Sequence, residues 1–327
     1  MSNFQEMAIA KAINAGLRQA MINDPKVLIF GEDVAELGGV FRVTEGLHKE
    51  FGQDRVFNSP IAESGIVGTA IGLAMRGYRP VAEIQFDGFI FPAFDQITSQ
   101  LARLQNRSEG FLTMPVVIRV PYGGGIGAVE HHSESPEAYF AHTPGLRVIS
   151  PSNANDAYWM IQQAIESTDP VLFFEPKRRY WMKGQVNLEY APGHMHAAAV
   201  VRPGTAATIA AYGPMVPVAL QAAEIAASEG NDLEVIDMRS MSPIDFATIV
   251  ESVKKTGRLV VAHEASTFVS VSSEVAARVA ELAFYHLEAP ILRVGGFDVP
   301  YPAAKLEESF LPDADRILEA VDRLLAY

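Results

Sequence analysis

Two short stretches carry residue types that could do acid–base chemistry. In Asn58-Ser59-Pro60-Ile61-Ala62-Glu63-Ser64-Gly65, one carboxylate enters a segment with no charged residue from Gly65 to Met75. Ser59-Pro60 is a turn signal, and Pro suits the approach to a helix start. Glu63 has two readings. It is a first-turn carboxylate favoured by the helix dipole, or a carboxyl shielded from water whose raised pKa suits it to hold a proton. The second stretch, Glu130-His131-His132-Ser133-Glu134, places two histidines between two glutamates. Adjacent side chains point to different faces, so both rarely ligate one ion, and at most one of the two is read as functional.

The surrounding elements set where these groups sit. Val27-Leu28-Ile29-Phe30 reads as a strand closed by Gly31-Glu32-Asp33. Carboxylates just past a strand end lie where open α/β sheets place ligands, with a solvated loop as the alternative. Val81-Ala82-Glu83-Ile84 runs into Gln85-Phe86-Asp87-Gly88-Phe89, and Val116 to Val120 runs into the glycine loop Gly123-Gly124-Gly125-Ile126-Gly127. That loop lacks the acidic ribose partner of a dinucleotide site and the Gly-Lys-Ser/Thr of a P-loop. Close backbone approach is its simplest use. Helices are expected over Phe4–Met21, over the Glu63 stretch, and over Ala93–Arg107 and Asn153–Glu166. The Glu63 helix is apolar around most of its circumference and should be buried, with Gly65, Gly68 and Gly72 admitting another backbone.

Strand and helix alternate at the spacing of parallel βαβ units. Glu175 to Gly204 breaks that rhythm with Pro176, Pro192-Gly193 and Pro203-Gly204. Its basic run Lys177-Arg178-Arg179 reads as a solvated turn or as a contact for an acidic partner. A second alternation follows from Thr208. The expected architecture is α/β, two doubly wound domains over 1–180 and 205–327 joined by a linker over 181–204.

Composition removes several classes. Lys+Arg 26 against Asp+Glu 39 gives a net charge of −13 over 327 residues, which argues against a nucleic-acid partner. There is no cysteine, so disulfides, thiolate metal sites and a cysteine nucleophile are excluded. The N-terminus lacks a basic start followed by an apolar run, and the apolar stretch near 65–75 is short of the ~20 residues of a membrane span, so a cytoplasmic location with no membrane partner is expected.

Taken together, Phe41-Arg42-Val43-Thr44, Asp54-Arg55-Val56-Phe57-Asn58, the Glu63 stretch, Glu83-Ile84-Gln85-Phe86, Phe89 to Gln96, His132-Ser133-Glu134-Ser135-Pro136-Glu137 and Lys255-Thr256-Gly257-Arg258-Leu259 resemble the beta subunit of thiamine-diphosphate 2-oxoacid dehydrogenases, the E1 component. Phe140-Ala141-His142 and Phe173-Phe174-Glu175-Pro176-Lys177 look more like the branched-chain than the pyruvate type. The resemblance implies a transketolase-like pyrimidine-binding domain followed by a transketolase C-terminal-type domain that serves assembly. It implies an α2β2 heterotetramer in which the alpha subunit holds the diphosphate through Mg²⁺ with a Gly-Asp-Gly motif, which this chain lacks. It further implies passage of the acyl group to the lipoyl domain of an E2 component, which also docks a subunit-binding domain on E1.

By that resemblance Glu63 hydrogen-bonds pyrimidine N1′ and favours the imino form that takes the C2 proton, and shielding by an apolar helix raises its pKa. His132 matches the active-site histidine, with acid–base work in acyl transfer. Ile61, Gln85 and Phe89 match cofactor pocket positions, Phe89 standing where branched-chain relatives carry Tyr. Val116, Ala164, Ile165, Ser167 and Asp169 match positions that hold a structural K⁺ in relatives, although Ser167 and Asp169 depart from the usual Asp and Asn. Ser266 to Ser272 is glycine-free where relatives carry glycines. A pyruvate dehydrogenase beta subunit and a non-catalytic assembly subunit are the alternatives. Retention of Glu63 and His132 speaks against the latter.

Overall fold

Apolar runs without polar alternation are the pattern of strands covered on both faces, and the chain uses them so. The computed structural model describes residues 3–327. In its first half the strands are β1 Phe4–Ala8, β2 Val27–Gly31, β3 Val56–Asn58, β4 Arg79–Glu83, β5 Val117–Tyr122, β6 Arg147–Ile149, β7 Val171–Pro176 and β8 Lys183–Asn187. The second half adds β9 Ala199–Arg202, β10 Ala207–Ala211, β11 Leu233–Asp237, β12 Ser240–Ser242, β13 Leu259–Ser266 and β14 Leu292–Gly296.

The first large sheet has the order β12-β6-β7-β5-β4-β2-β3, and the second β14-β13-β10-β11-β9. All pairings from β3 to β6 in the first sheet are parallel. Residues of one parity, Ile29, Val81, Val117 and Phe173, pack against the helices Ile9–Asn23 and Ala154–Glu166. Those of the other parity, Phe30, Ala82, Ile118 and Phe174, pack against the Glu63 helix and the helical segment after it. The period of two in a strand divides one apolar run between two cores.

Four sequence expectations change. The first helix begins at Ile9, because Phe4 to Ala8 pairs antiparallel with Lys183 to Asn187 instead. Within 181–204 the chain therefore forms β8, and also β9, which joins the second sheet antiparallel to β11. The helix expected from Ala93 to Arg107 is interrupted, with a 3-10 segment over Asp87–Ala93 containing Pro92 and a π turn over Gln96–Leu101. The Glu63–Met75 helix buries Ile66, Val67, Ala70 and Ala74 but leaves Gly65, Gly68, Thr69, Gly72 and Met75 exposed, so it is one-sided. No helix among the described residues is long and apolar enough to cross a membrane.

The two halves interlock. β12 comes from the second half yet pairs antiparallel with β6 at the edge of the first sheet. The glycine loop turns its amides on the second domain. Gly124 N–H donates to Glu264 at 3.1 Å, and Gly125 and Gly127 N–H donate to the two oxygens of Glu307 at 2.7 and 2.9 Å. A Cβ on Gly124 would overlap the Tyr301 hydroxyl, which itself donates to Glu307 at 2.6 Å. Close approach is the use of this loop, and the second domain is what approaches.

Candidate active site

Glu32, Glu63, Gln85 and His132 follow the C-terminal ends of β2, β3, β4 and β5. Chain order reverses in this sheet between β2 and β4, and such a switch point opens a crevice for ligands. Glu63 is the first residue of its helix and is buried, so its carboxylate meets the positive helix end inside the crevice. Glu32 is buried too, and its Oε1 has no hydrogen-bond partner among the described residues. Burial, then the charges of Glu63, Asp33 and Glu83, push the Glu32 carboxyl above the ordinary range. Gln85 Nε2 approaches the Glu32 carbonyl at 3.4 Å, tying the β4 end to the β2 end.

His132 lies on a short 3-10 turn over Glu130–His132 packed against the 87–93 segment. Its imidazole stacks on Phe86, with centroids 4.1 Å apart and planes at 15°. Phe89 meets it edge-on at 5.1 Å and meets His131 at 5.3 Å. Nδ1 of His132 is buried without a hydrogen-bond partner among the described residues. Glu32 and His132 thus each carry a buried polar atom without a protein hydrogen-bond partner among the described residues at this end of the sheet. Among the described residues no three His, Asp or Glu side chains are grouped to hold a metal ion.

Glu63, Gln85, Phe89 and His132 thus all lie beyond the C-terminal ends of one sheet, with Phe89 against His132. Ile61 stands apart from them in environment, with 84% of its surface exposed. The possible K⁺ residues lie elsewhere, Val116 just before β5 and the others from the end of the Ala154–Glu166 helix to the approach to β7. Arg79 Nη1 donates to the carbonyls of Ile165 and Ser167 at 2.8 and 3.2 Å, and Arg147 binds the Asp169 carboxylate at 2.6 Å. The Val116 carbonyl accepts the Val171 N–H at 2.9 Å, and Ala164 is buried in the helix. Guanidinium groups therefore already neutralise this cluster, and the oxygens as arranged do not fit K⁺ without sharing it with Arg79.

The basic run is not a solvated turn, because each of its residues pairs within the chain. Lys177 is fully enclosed and pairs with Asp87, Arg178 pairs with Glu264 at 2.6 Å, and Arg179 donates to the Pro214 carbonyl at 3.1 Å. Beneath the crevice Arg119, also fully enclosed, forks onto Glu175 at 2.6 and 3.0 Å and reaches Glu83 at 2.6 Å. Burial alone would lower the guanidinium pKa, but Glu175 and Glu83 reverse this and hold it charged. Sequence reading passed over Phe86 as a stacking platform. Its only local signal was its place between Gln85 and Asp87 at a strand end.

A parallel sheet with ligand groups at its switch point, joined to a second α/β domain, is the arrangement of transketolase-type chains. The family models agree: the transketolase pyrimidine binding domain matches residues 5–182 and the transketolase C-terminal domain matches residues 196–317. A solved structure described as a split gene transketolase, inactive beta4 tetramer, superposes with a TM-score of 0.79 at 25% identity over 98% of each chain. The pyruvate dehydrogenase E1 component subunit beta of Leifsonia xyli subsp. xyli is 68% identical over 99% of this chain and 96% of its own. The 3-methyl-2-oxobutanoate dehydrogenase subunit beta of Mycobacterium tuberculosis is 51% identical over 98% and 92%. The 2-oxoisovalerate dehydrogenase subunit beta of Pseudomonas aeruginosa is 45% identical over 98% and 95%. The chain belongs to the beta subunits of 2-oxoacid dehydrogenase E1 components.

Proposed function

We propose that this chain is the E1 beta subunit of a branched-chain 2-oxoacid dehydrogenase complex, active with an alpha subunit in an α2β2 assembly. The observation that carries the reading is the placement of Glu63, Gln85, Phe89 and His132 beyond the C-terminal ends of one sheet, with orphaned polar atoms on Glu32 and His132. Thiamine diphosphate, when bound, supplies the electron sink for loss of carbon dioxide from the 2-oxoacid. Glu63 holds a proton at pyrimidine N1′, Phe89 packs on the pyrimidine, and Gln85 fixes the crevice wall. His132 moves a proton near the reacting carbon during acyl transfer to the lipoyl domain of E2. The chain has no Gly-Asp-Gly, so Mg²⁺ and the diphosphate fall to the alpha subunit. Ile61 enters this pocket only when a partner covers it. K⁺ has no part in the proposal.

The branched-chain preference rests on His132 to His142 and on Phe173-Phe174-Glu175-Pro176-Lys177. The 68% identity to a chain named pyruvate dehydrogenase favours a second reading, in which pyruvate is the substrate. Glu63→Ala, co-expressed with the alpha subunit, should assemble but lose decarboxylation of both 3-methyl-2-oxobutanoate and pyruvate. Full decarboxylation by that variant overturns the proposal. Comparing kcat/KM for the two acids in the wild type separates the readings.

A further inference from the structure

Lys177 and Asp87 lie 90 positions apart in sequence, and both side chains are fully enclosed. Taking two charges out of water is costly, and the cost is offset only where the pair's geometry is close and its remaining polar atoms are bonded. Here one carboxylate joins three segments. One oxygen of Asp87 takes the Lys177 ammonium, and the other accepts the Glu134 N–H at 2.6 Å. Glu134 stands two residues beyond His132. On the other side of Asp87, Phe86 carries the stacked imidazole, and the Lys177 ammonium lies 6.0 Å from the centre of that same ring. At the next position, Gly88 has no Cβ, and one there would overlap the carbonyl of His131. The face of His132 and the backbone following it are thus fixed by consecutive residues, 86 to 88, with Lys177 locking the middle one from β7's end.

The geometry points to Asp87 and Lys177 as positioning residues for His132, a buried brace that holds the imidazole on Phe86 and sets its angle toward the reacting centre. This rests on the acyl-transfer role proposed for His132. Burial pushes the Asp87 carboxyl up to about 6 and lowers the Lys177 ammonium, each opposed by the other's charge. The pair acts through His132 and touches no substrate.

The test uses the α/β assembly with a lipoylated E2 domain as acceptor, and in parallel a dye electron acceptor that reads decarboxylation alone. Asp87→Asn keeps an acceptor for the Glu134 N–H but leaves the ammonium unpaired. Lys177→Arg keeps the charge and changes its reach. Both should lower kcat for lipoyl acylation at least tenfold while KM for the 2-oxoacid changes less than twofold and the dye-linked rate stays within threefold. The double variant Asp87→Asn/Lys177→Met, which removes both charges and keeps the amide acceptor, relieves the unpaired ammonium but still lacks the brace, so its lipoyl acylation should stay at least tenfold below wild type. His132→Ala in the same series must itself lose lipoyl acylation; if it does not, the role of His132 falls. If His132→Ala is impaired while Lys177→Arg and the double variant both acylate at the wild-type rate, the brace is only structural and the inference is overturned. Should Asp87→Asn fail to fold, Lys177→Arg and the double variant carry the same decision.

Discussion

The imidazole of His132 lies almost flat on the ring of Phe86, 4.1 Å between centroids, although 46 positions separate the two residues. Phe86 follows β4, and His132 stands on the turn beyond the glycine loop. The contact therefore ties two strand ends together at the crevice.

Phe86→Ala should free the ring. A stacked aromatic contact is worth about 0.5–1.5 kcal/mol, so the step that uses His132 should slow by up to roughly tenfold. Single-turnover transfer to a lipoyl acceptor checks this, and an unchanged transfer rate would show that the stack does not orient the imidazole.

Arg119 stands between two enclosed carboxylates, Glu83 and Glu175. Arg119→Met should destabilise the chain by about 3–5 kcal/mol, because Glu83 and Glu175 are then left facing each other without compensation. Urea unfolding of the α/β assembly measures it. Replacing all three by apolar residues of similar volume should recover most of the loss, since the desolvation of the whole group then disappears.

Glu137 gives a pH dependence of defined sign. It is enclosed, accepts the Tyr212 hydroxyl at 2.6 Å, and burial pushes its carboxyl up to about 7. The folded value lies above the unfolded one, so this group's stabilisation is full below the ordinary carboxylate range and is lost as pH rises through 7. Glu137→Gln should therefore gain ~2–3 kcal/mol on wild type between pH 5 and pH 8. A constant difference across that range would count against a neutral Glu137.

Val269 has a φ of 49°, in the left-handed region that β-branched residues avoid, within the segment that lacks glycine. Val269→Gly should raise stability by roughly 0.5–1 kcal/mol, the relief of strain being partly offset by glycine's freedom in the unfolded chain. A lower melting temperature in the variant would mean that the Val269 side chain contributes more than its backbone costs.

The parallel strands were legible because their apolar runs are local and continuous, whereas Glu63 alone reads equally as a helix-start carboxylate favoured by the dipole, and only family likeness gives it a chemical role. His132 was separable from His131 only through family likeness, since spacing alone gives both the same standing. Pairings between distant segments left no local mark. β1 looked helical because Met7, Ile9 and Ile13 share a helical spacing, whereas its partner β8 lies 175 positions away and decides the matter. Lys177 carries the look of a solvated run because its two neighbours are also basic, and only Asp87 in three dimensions accounts for its burial. Among the described residues nothing packs on the exposed glycine face of the Glu63 helix, for a Cβ at Gly68 or Gly72 would meet nothing within 4 Å.

The position of β12 has a consequence for synthesis. The first sheet closes its β6 edge with Ser240–Ser242, a strand translated after β10 and β11 of the second sheet. At about 5–20 residues per second, β6 and β7 emerge several seconds before that edge is capped. For that interval the ribosome-bound chain presents an unpaired strand beside a formed parallel sheet, the usual template for contact with a neighbouring nascent chain.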